Sequence, residues 1–201
     1  LCLHYSDFWA DPVKQFLPKA WRKLDEKHLK QAVFDYTAQV MNRLKEENAL
    51  PTMVAVGNEL SNGLLWPTGK MPHYDTIADY VNAGIKAVRT VDKSLPIMIH
   101  LDNGGNNALY RDWFDHFLER GEDFQVIGLS YYPFWHGSLQ SLEDNMNDIA
   151  VRYGKDLIVA EVSMGFSSDS YYEYEKSGQE EKKGMATKPA LAEKIEYPMT
   201  P

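Results

Sequence analysis

Met53-Val-Ala-Val-Gly-Asn-Glu59 is a short β-rich run that delivers an Asn-Glu pair to the point where the chain breaks into a loop rich in Gly and Pro. Side chains alternate along a strand, so Ala55, Gly57 and Glu59 are expected on one face and Val54, Val56 and Asn58 on the other. A second run, Leu157-Ile-Val-Ala-Glu161, ends the same way, with Leu157, Val159 and Glu161 predicted to share a face. The carboxyl ends of strands are where α/β barrels and open parallel sheets keep their active sites. Two carboxylates facing one another across a cleft are the minimal equipment for glycoside hydrolysis.

Outward from these two runs the pattern is strand and helix in strict alternation. Strands are expected near 1–6, 53–58, 96–101, 124–131 and 157–161, and helices near 20–47, 75–92, 107–119 and 139–153. In the first helix Leu24, Val33, Val40, Met41 and Leu44 supply an apolar stripe. Such alternation implies right-handed crossovers and an all-parallel sheet. Five strands do not close an eight-stranded barrel, so the chain reads as a partial one; residues 162–201, with Ser177-Gly-Gln-Glu-Glu-Lys-Lys-Gly184 and three later prolines, read as a long loop.

Composition narrows the partners. The 201 residues are 44% hydrophobic and 25% charged, ordinary for a globular chain, and carry a formal net charge of -8. With no block of Lys or Arg, neither nucleic acid nor an anionic membrane surface is expected as the main partner. No apolar stretch approaches the roughly 20 residues that span a bilayer. A single cysteine, Cys2, excludes an intrachain disulfide. Five tryptophans offer flat faces for stacking on sugar rings, although Trp21 and Trp113 sit inside helical patterns and read as core.

Each strand end presents polar or aromatic groups. Glu59 precedes a loop able to hold Trp66 over a cleft, with a solvated loop carboxylate as the alternative reading. Glu161 closes an almost wholly apolar run, where an ionised group must be paired or used. His100 and Asp102 are predicted on one face, with Asn103 opening the loop; this cluster suits hydroxyl recognition better than metal, since the six histidines show no HExxH spacing. In Gly128-Leu-Ser-Tyr-Tyr-Pro-Phe-Trp-His136, one inward tyrosine is placed to bond a carboxylate nucleophile and Trp135 to form a sugar platform; Tyr131 is nominated, while Tyr132 and Phe134 read equally as packing. Asp7 and Trp9 form a similar polar-aromatic loop, where Asp7 equally suits bonding to loop amides. No GxSxG elbow, phosphate loop or strand-linked GxGxxG competes.

The ordered motifs His4-Tyr-Ser-Asp-Phe-Trp-Ala-Asp-Pro12, Val56-Gly-Asn-Glu59 with Gly63-Leu-Leu-Trp-Pro67, Ile99-His-Leu-Asp-Asn-Gly104 and Val126-Ile-Gly-Leu-Ser-Tyr-Tyr-Pro-Phe134 resemble the endo-β-1,4-galactanases of glycoside hydrolase family 53, within the retaining clan A. The resemblance implies a (β/α)8 barrel whose third to seventh strands are those present, so that 1–201 is one catalytic domain truncated at both ends. It implies Glu59 as acid/base, Glu161 as nucleophile and Asn58 as the partner of the sugar 2-hydroxyl, with Asp7, Trp9, Trp66, His100, Asp102, Asn103, Tyr131 and Trp135 as substrate contacts. The implied reaction is double displacement on β-1,4-galactan or arabinogalactan of pectin, by a secreted or cell-surface monomer. Glu161-Val-Ser-Met departs from the Glu-Thr-x-Trp pattern of many members, and the calcium ligands of some bacterial members find no match in 162–201, so no metal or cofactor is assigned. The alternatives are another clan A glycanase, a mannanase or endoglucanase, and a carbohydrate-binding remnant without turnover.

Overall fold

The computed structural model describes residues 1–163, and the loop expected over 162–201 falls almost entirely outside them. Five strands, β1 (Cys2–Leu3), β2 (Val54–Val56), β3 (Ile97–Leu101), β4 (Val126–Tyr131) and β5 (Asp156–Val162), alternate with four helices, α1 (Glu26–Glu46), α2 (Tyr74–Val91), α3 (Asn107–Leu118) and α4 (Leu139–Tyr153). Every pairing is parallel and the spatial order follows the sequence, β1-β2-β3-β4-β5. This is the architecture of a partial (β/α)8 barrel. The pattern-based strands and helices all exist; their ends differ for local reasons.

The first helix starts at Glu26 rather than near residue 20. Residues Lys19–Trp21 form a single 3-10 turn, and the Asp25 side chain then accepts the His28 amide as an N-cap. From there Leu29, Val33, Thr37 and Met41 recur at intervals of four and are the residues buried on this helix, whereas Leu24, Val40 and Leu44 are only half-buried. The buried Thr37 hydroxyl is satisfied by Tyr5 Oη at 2.7 Å. The apolar side chains of β2 to β4 pack against α2 and α3, where Trp113, Phe114, Phe117 and Phe124 form a continuous aromatic group. Trp113 is core as expected; Trp21 is half-buried at the margin of the core, its ring edge-on to Tyr36. Among the described residues no helix is long and apolar enough to cross a membrane.

The close approach of α2 to the sheet depends on Gly84. A Cβ there would lie 2.5 Å from Val56 Cγ1 and 2.7 Å from Tyr5 Oη, both fixed in the core. Gly84→Ala gains about 1 kcal/mol of helix propensity but overpacks a site of the kind that costs about 1–3 kcal/mol. The expected outcome in urea unfolding is a lower midpoint, a net loss of up to about 2 kcal/mol, with the slope unchanged.

Candidate active site

The inner face of the strands, from Leu1 and Met53 before β1 and β2 to Asn58 and Glu161 at the carboxyl ends, lines one concavity of about 620 Å³ with Cys2, His4, Ala55, Met98, His100, Ile158 and Ala160. The first and last strands of the sheet thus face the same space, as in a barrel interior.

Neither carboxylate arrives by simple alternation. β2 ends at Val56; Gly57 has φ +87° and Glu59 has φ 49° and ψ 58°, both left-handed. Asn58 consequently lines the concavity together with Ala55, although an uninterrupted strand puts these two on opposite faces. On β5, Leu157 and Val159 pack against the core while Ile158 and Ala160 face the concavity. The sequence reading put Glu161 on the face of Leu157 and Val159 and took that face to meet the cleft; those two residues pack outward, and continued alternation would send Glu161 with them. The β4–β5 register instead shifts between Leu129 and Ser130: Leu129 pairs with Val159 but Ser130 pairs with Glu161, so β5 holds one extra residue and Glu161 turns inward.

Asn58 is held from several sides. Its Oδ1 faces His100 Nδ1 at 3.0 Å, its Nδ2 donates to Ala10 O at 2.8 Å, and the Cys2 thiol lies 3.4 Å from Oδ1. His100, 1% exposed, completes a buried chain through Nε2 to Ser130 Oγ at 2.9 Å. Glu59 is itself 2% exposed. Its turn is pinned by Trp113 Nε1, which donates to Leu60 O at 3.0 Å, and by Ser61, whose hydroxyl bonds the Asp102 carboxylate while accepting the Asp102 amide at 3.2 Å. Asp102 thus braces the acid-bearing loop, whereas its expected companion His100 points into the concavity.

Glu161 accepts a hydrogen bond from Tyr132 Oη at 2.7 Å. Tyr131, the tyrosine nominated from sequence, instead donates to Gly137 O at 3.1 Å. Burial, the bond to Glu161 and the charges of Glu161 and Glu59 raise the Tyr132 phenol well above its usual range, so it is a donor at every working pH. Both glutamates also act on Cys2: burial first, then Glu161, push its thiol up to about 12, against the pull of the amino terminus. Cys2, on β1, and Tyr132, in the loop after β4, are thus both raised by burial and by the charges of Glu161 and Glu59.

The remaining nominated residues divide. Asp7 Oδ2 accepts the Lys19 amide at 2.7 Å, so it fastens the loop after β1, as an Asp in a loop often does. Trp9 is 71% exposed with Lys14 Nζ 5.4 Å from its ring centre; Trp66 donates to Asn62 O, meets Phe16 edge-on and carries Lys70 Nζ at 4.5 Å over its ring. Asn103 sits in a left-handed turn (φ 60°) and its carbonyl accepts the Asn106 amide, which starts α3. Trp135 lies half-buried in the turn after β4, its amide donating to Tyr132 O. His4, Gln15, Ser61, Ser130 and Tyr132 were not nominated. His4 and Ser130 stand inside quoted motifs, but only the packing shows that His4 lines the concavity with Glu161 and that Ser130 holds His100.

Five parallel strands alternating with four helices, with a buried Glu59 after β2 and a tyrosine-bonded Glu161 on β5, have the arrangement of a partial barrel of the glycoside hydrolase type. The family described as glycosyl hydrolase family 53 matches residues 1–195, and the chain belongs to it. A protein of Niallia circulans described as uncharacterized, in the bgaB 5' region, is 48% identical over 171 residues, 81% of this chain and 47% of its own length. A probable arabinogalactan endo-β-1,4-galactanase A of Aspergillus flavus is 39% identical over 173 residues, 81% of this chain and 49% of its own. The family 53 catalytic domain of Ignisphaera aggregans superposes with a TM-score of 0.89 at 34% identity, covering 99% of this chain and 53% of that one. The chain therefore spans about half the length of the relatives it matches.

His4 carries a pH signature. Its Nδ1 accepts the Ala10 amide at 2.7 Å, and desolvation lowers its pKa from 6.5 despite the nearby charge of Glu161. Below pH 6.5 the unfolded chain binds a proton that the folded chain resists, so protonation favours unfolding. Stability is expected to fall as pH drops below about 6.5, and the loss to be smaller in His4→Gln. Urea midpoints of the two proteins between pH 7.5 and 5 measure it; parallel curves contradict it.

Proposed function

We propose that the protein that carries this chain is an endo-acting retaining β-1,4-galactanase, with Glu161 as nucleophile and Glu59 as general acid/base. The observation that carries this reading is the Tyr132–Glu161 hydrogen bond in the concavity that also holds Asn58, within a chain of family 53. A carboxylate that accepts a phenol keeps its orientation without losing its charge, which suits attack on an anomeric carbon. Burial of Glu59 disfavours its ionised form and suits a group that must start protonated.

In the first step a Glu161 oxygen forms a bond to the anomeric carbon while the bond to the leaving oxygen breaks, and the Glu59 proton passes to that oxygen. In the second step Glu59, now a carboxylate, takes a proton from water, whose oxygen displaces Glu161 and restores the original configuration. Asn58, held by His100 and Ala10, is aimed at the 2-hydroxyl of the reacting sugar. Exposed Trp9, in the loop after β1, and Trp66, in the loop after Glu59, serve as stacking surfaces for sugar rings. The substrate is a polymer of pectic side chains, so the enzyme works outside the cytoplasm, as a monomer on a polysaccharide partner.

Glu161→Gln in the full polypeptide that carries this sequence is expected to lower kcat on linear β-1,4-galactan by about 10³-fold or more, with the fold intact by circular dichroism. Proton NMR of the first product formed by the unmodified protein is expected to show the β-anomer. Substantial turnover by Glu161→Gln, or initial α-product, refutes the assignment; cleavage of mannan or cellulose in place of galactan moves it elsewhere in the clan.

A further inference from the structure

The loop between β1 and α1 is fastened to the segment that bears Asn58 and Glu59. Asn58 Nδ2 donates to Ala10 O at 2.8 Å, Asn62 Nδ2 to Pro12 O at 2.8 Å, and the Trp66 amide to Gln15 O at 2.8 Å. Between these contacts lies the Gln15 side chain, 2% exposed. Its Nε2 donates to the carbonyl of Asn58 at 2.7 Å and to that of Glu59 at 3.3 Å. One amide group thus reaches across 43 and 44 residues of sequence to hold two successive carbonyls.

Those carbonyls belong to an unusual stretch of backbone. Glu59, at φ 49° and ψ 58°, follows Gly57 at φ +87°. A non-glycine residue keeps a left-handed conformation only where its surroundings over-determine it. Trp113 and the Ser61–Asp102 pair brace the residues after Glu59, from Leu60 onward. Gln15 grips Glu59 itself and the residue before it. Gln15 O also accepts the Trp66 amide, and Phe16 next in line meets the Trp66 ring edge-on, so the same short segment ties Asn58 and Glu59 to Trp66.

We infer that Gln15 is the positioning residue of the acid/base: by holding the carbonyls of Asn58 and Glu59 it sets the left-handed turn, and with it the directions of the Glu59 carboxyl and the Asn58 amide. The inference rests on the assignment of Glu59 made above. A merely space-filling or carbonyl-satisfying role makes a different forecast, since it affects stability without singling out the steps that need a proton donor.

The test uses Gln15→Met, which keeps the length of the side chain and removes the donor, in the full polypeptide. Turnover of galactan, whose leaving group needs protonation, is expected to fall about 10- to 100-fold. The kcat/KM of an aryl β-1,4-galactobioside with an acidic phenol, which reports only the first step and whose leaving group departs without protonation, is expected to stay within about threefold. In the carbon-13 carboxyl spectrum the Glu59 titration is expected to move by about half a unit or more, because the turn that aims its carboxyl is released, while Glu161 titrates as before. Equal losses on both substrates with an unmoved Glu59 titration overturn the inference. If Gln15→Met does not fold, Gln15→His, whose ring keeps one donor, decides: a partial Glu59 shift supports the role, and a wild-type titration overturns it. If the unmodified polypeptide fails to cleave galactan, the functional reading falls, and the Glu59 titration alone decides the part played by Gln15.

Discussion

Parity along a strand is the constraint on which the site depends. A β-strand shows alternate residues to its two faces, and in a barrel one face belongs to the interior and the other to the helices. Val54 and Val56 are fully buried, with Val56 packed where α2 comes closest at Gly84, and Ala55 faces the concavity. Ile158 and Ala160 likewise face the concavity on β5. If alternation held beyond these residues, Asn58 and Glu161 would both point outward among the helices. Two local departures prevent this: left-handed backbone at Gly57 and Glu59, and the extra residue that β5 inserts opposite Ser130. The chemistry of the site is therefore written in backbone irregularity as much as in side-chain identity.

Such departures carry a cost that the surroundings offset. Left-handed backbone at a non-glycine residue costs about 1–2 kcal/mol, and an unmet buried carbonyl costs about as much again. The turn at Glu59 is surrounded by donors that meet this cost: Trp113 Nε1 to Leu60 O, Gln15 Nε2 to Asn58 O and Glu59 O. These donors come from α3 and from the loop after β1, elements on either side of β2. The active turn is thus the place where neighbouring βα units are joined by polar contacts, while the apolar contacts between them lie deeper, under α2 and α3.

The element order was legible because its cause is local. Caps, periodicity and Gly or Pro breaks act over a few residues, and so helices at 75–92, 107–119 and 139–153 match α2, α3 and α4 within one residue at each end. Glu59 and Glu161 were legible because a carboxylate at the end of an apolar run is conspicuous. The face each occupies was not, since a positive φ at Glu59 and a bulge on β5 come from pairing and packing partners dozens of residues away. The same limit explains the tyrosines. Tyr131 and Tyr132 are neighbours in sequence, and which one meets Glu161 depends on where β4 stops and on the turn that brings Gly137 O to Tyr131 Oη. Gln15 has no local signature at all: it is an ordinary polar residue whose partners lie more than forty positions on.

The tryptophans illustrate how charge can refine a surface that composition leaves generic. A bare indole face stacks on a sugar ring through its apolar area and its quadrupole. Here Lys70 Nζ stands 4.5 Å over the Trp66 ring and Lys14 Nζ 5.4 Å from that of Trp9, so each ring already has a cation near one face. Lys14 is also paired with Asp11 at 2.9 Å, which fixes it within its own loop. A sugar that stacks on either ring uses the opposite face or displaces a lysine whose attraction to an exposed ring is worth only about 0.5–1 kcal/mol. Phe16, 56% exposed, meets the Trp66 ring edge-on and adds apolar surface without charge. Each indole is thus approached by a lysine of its own loop, and the same two loops carry the polar clamp on Asn58 and Glu59.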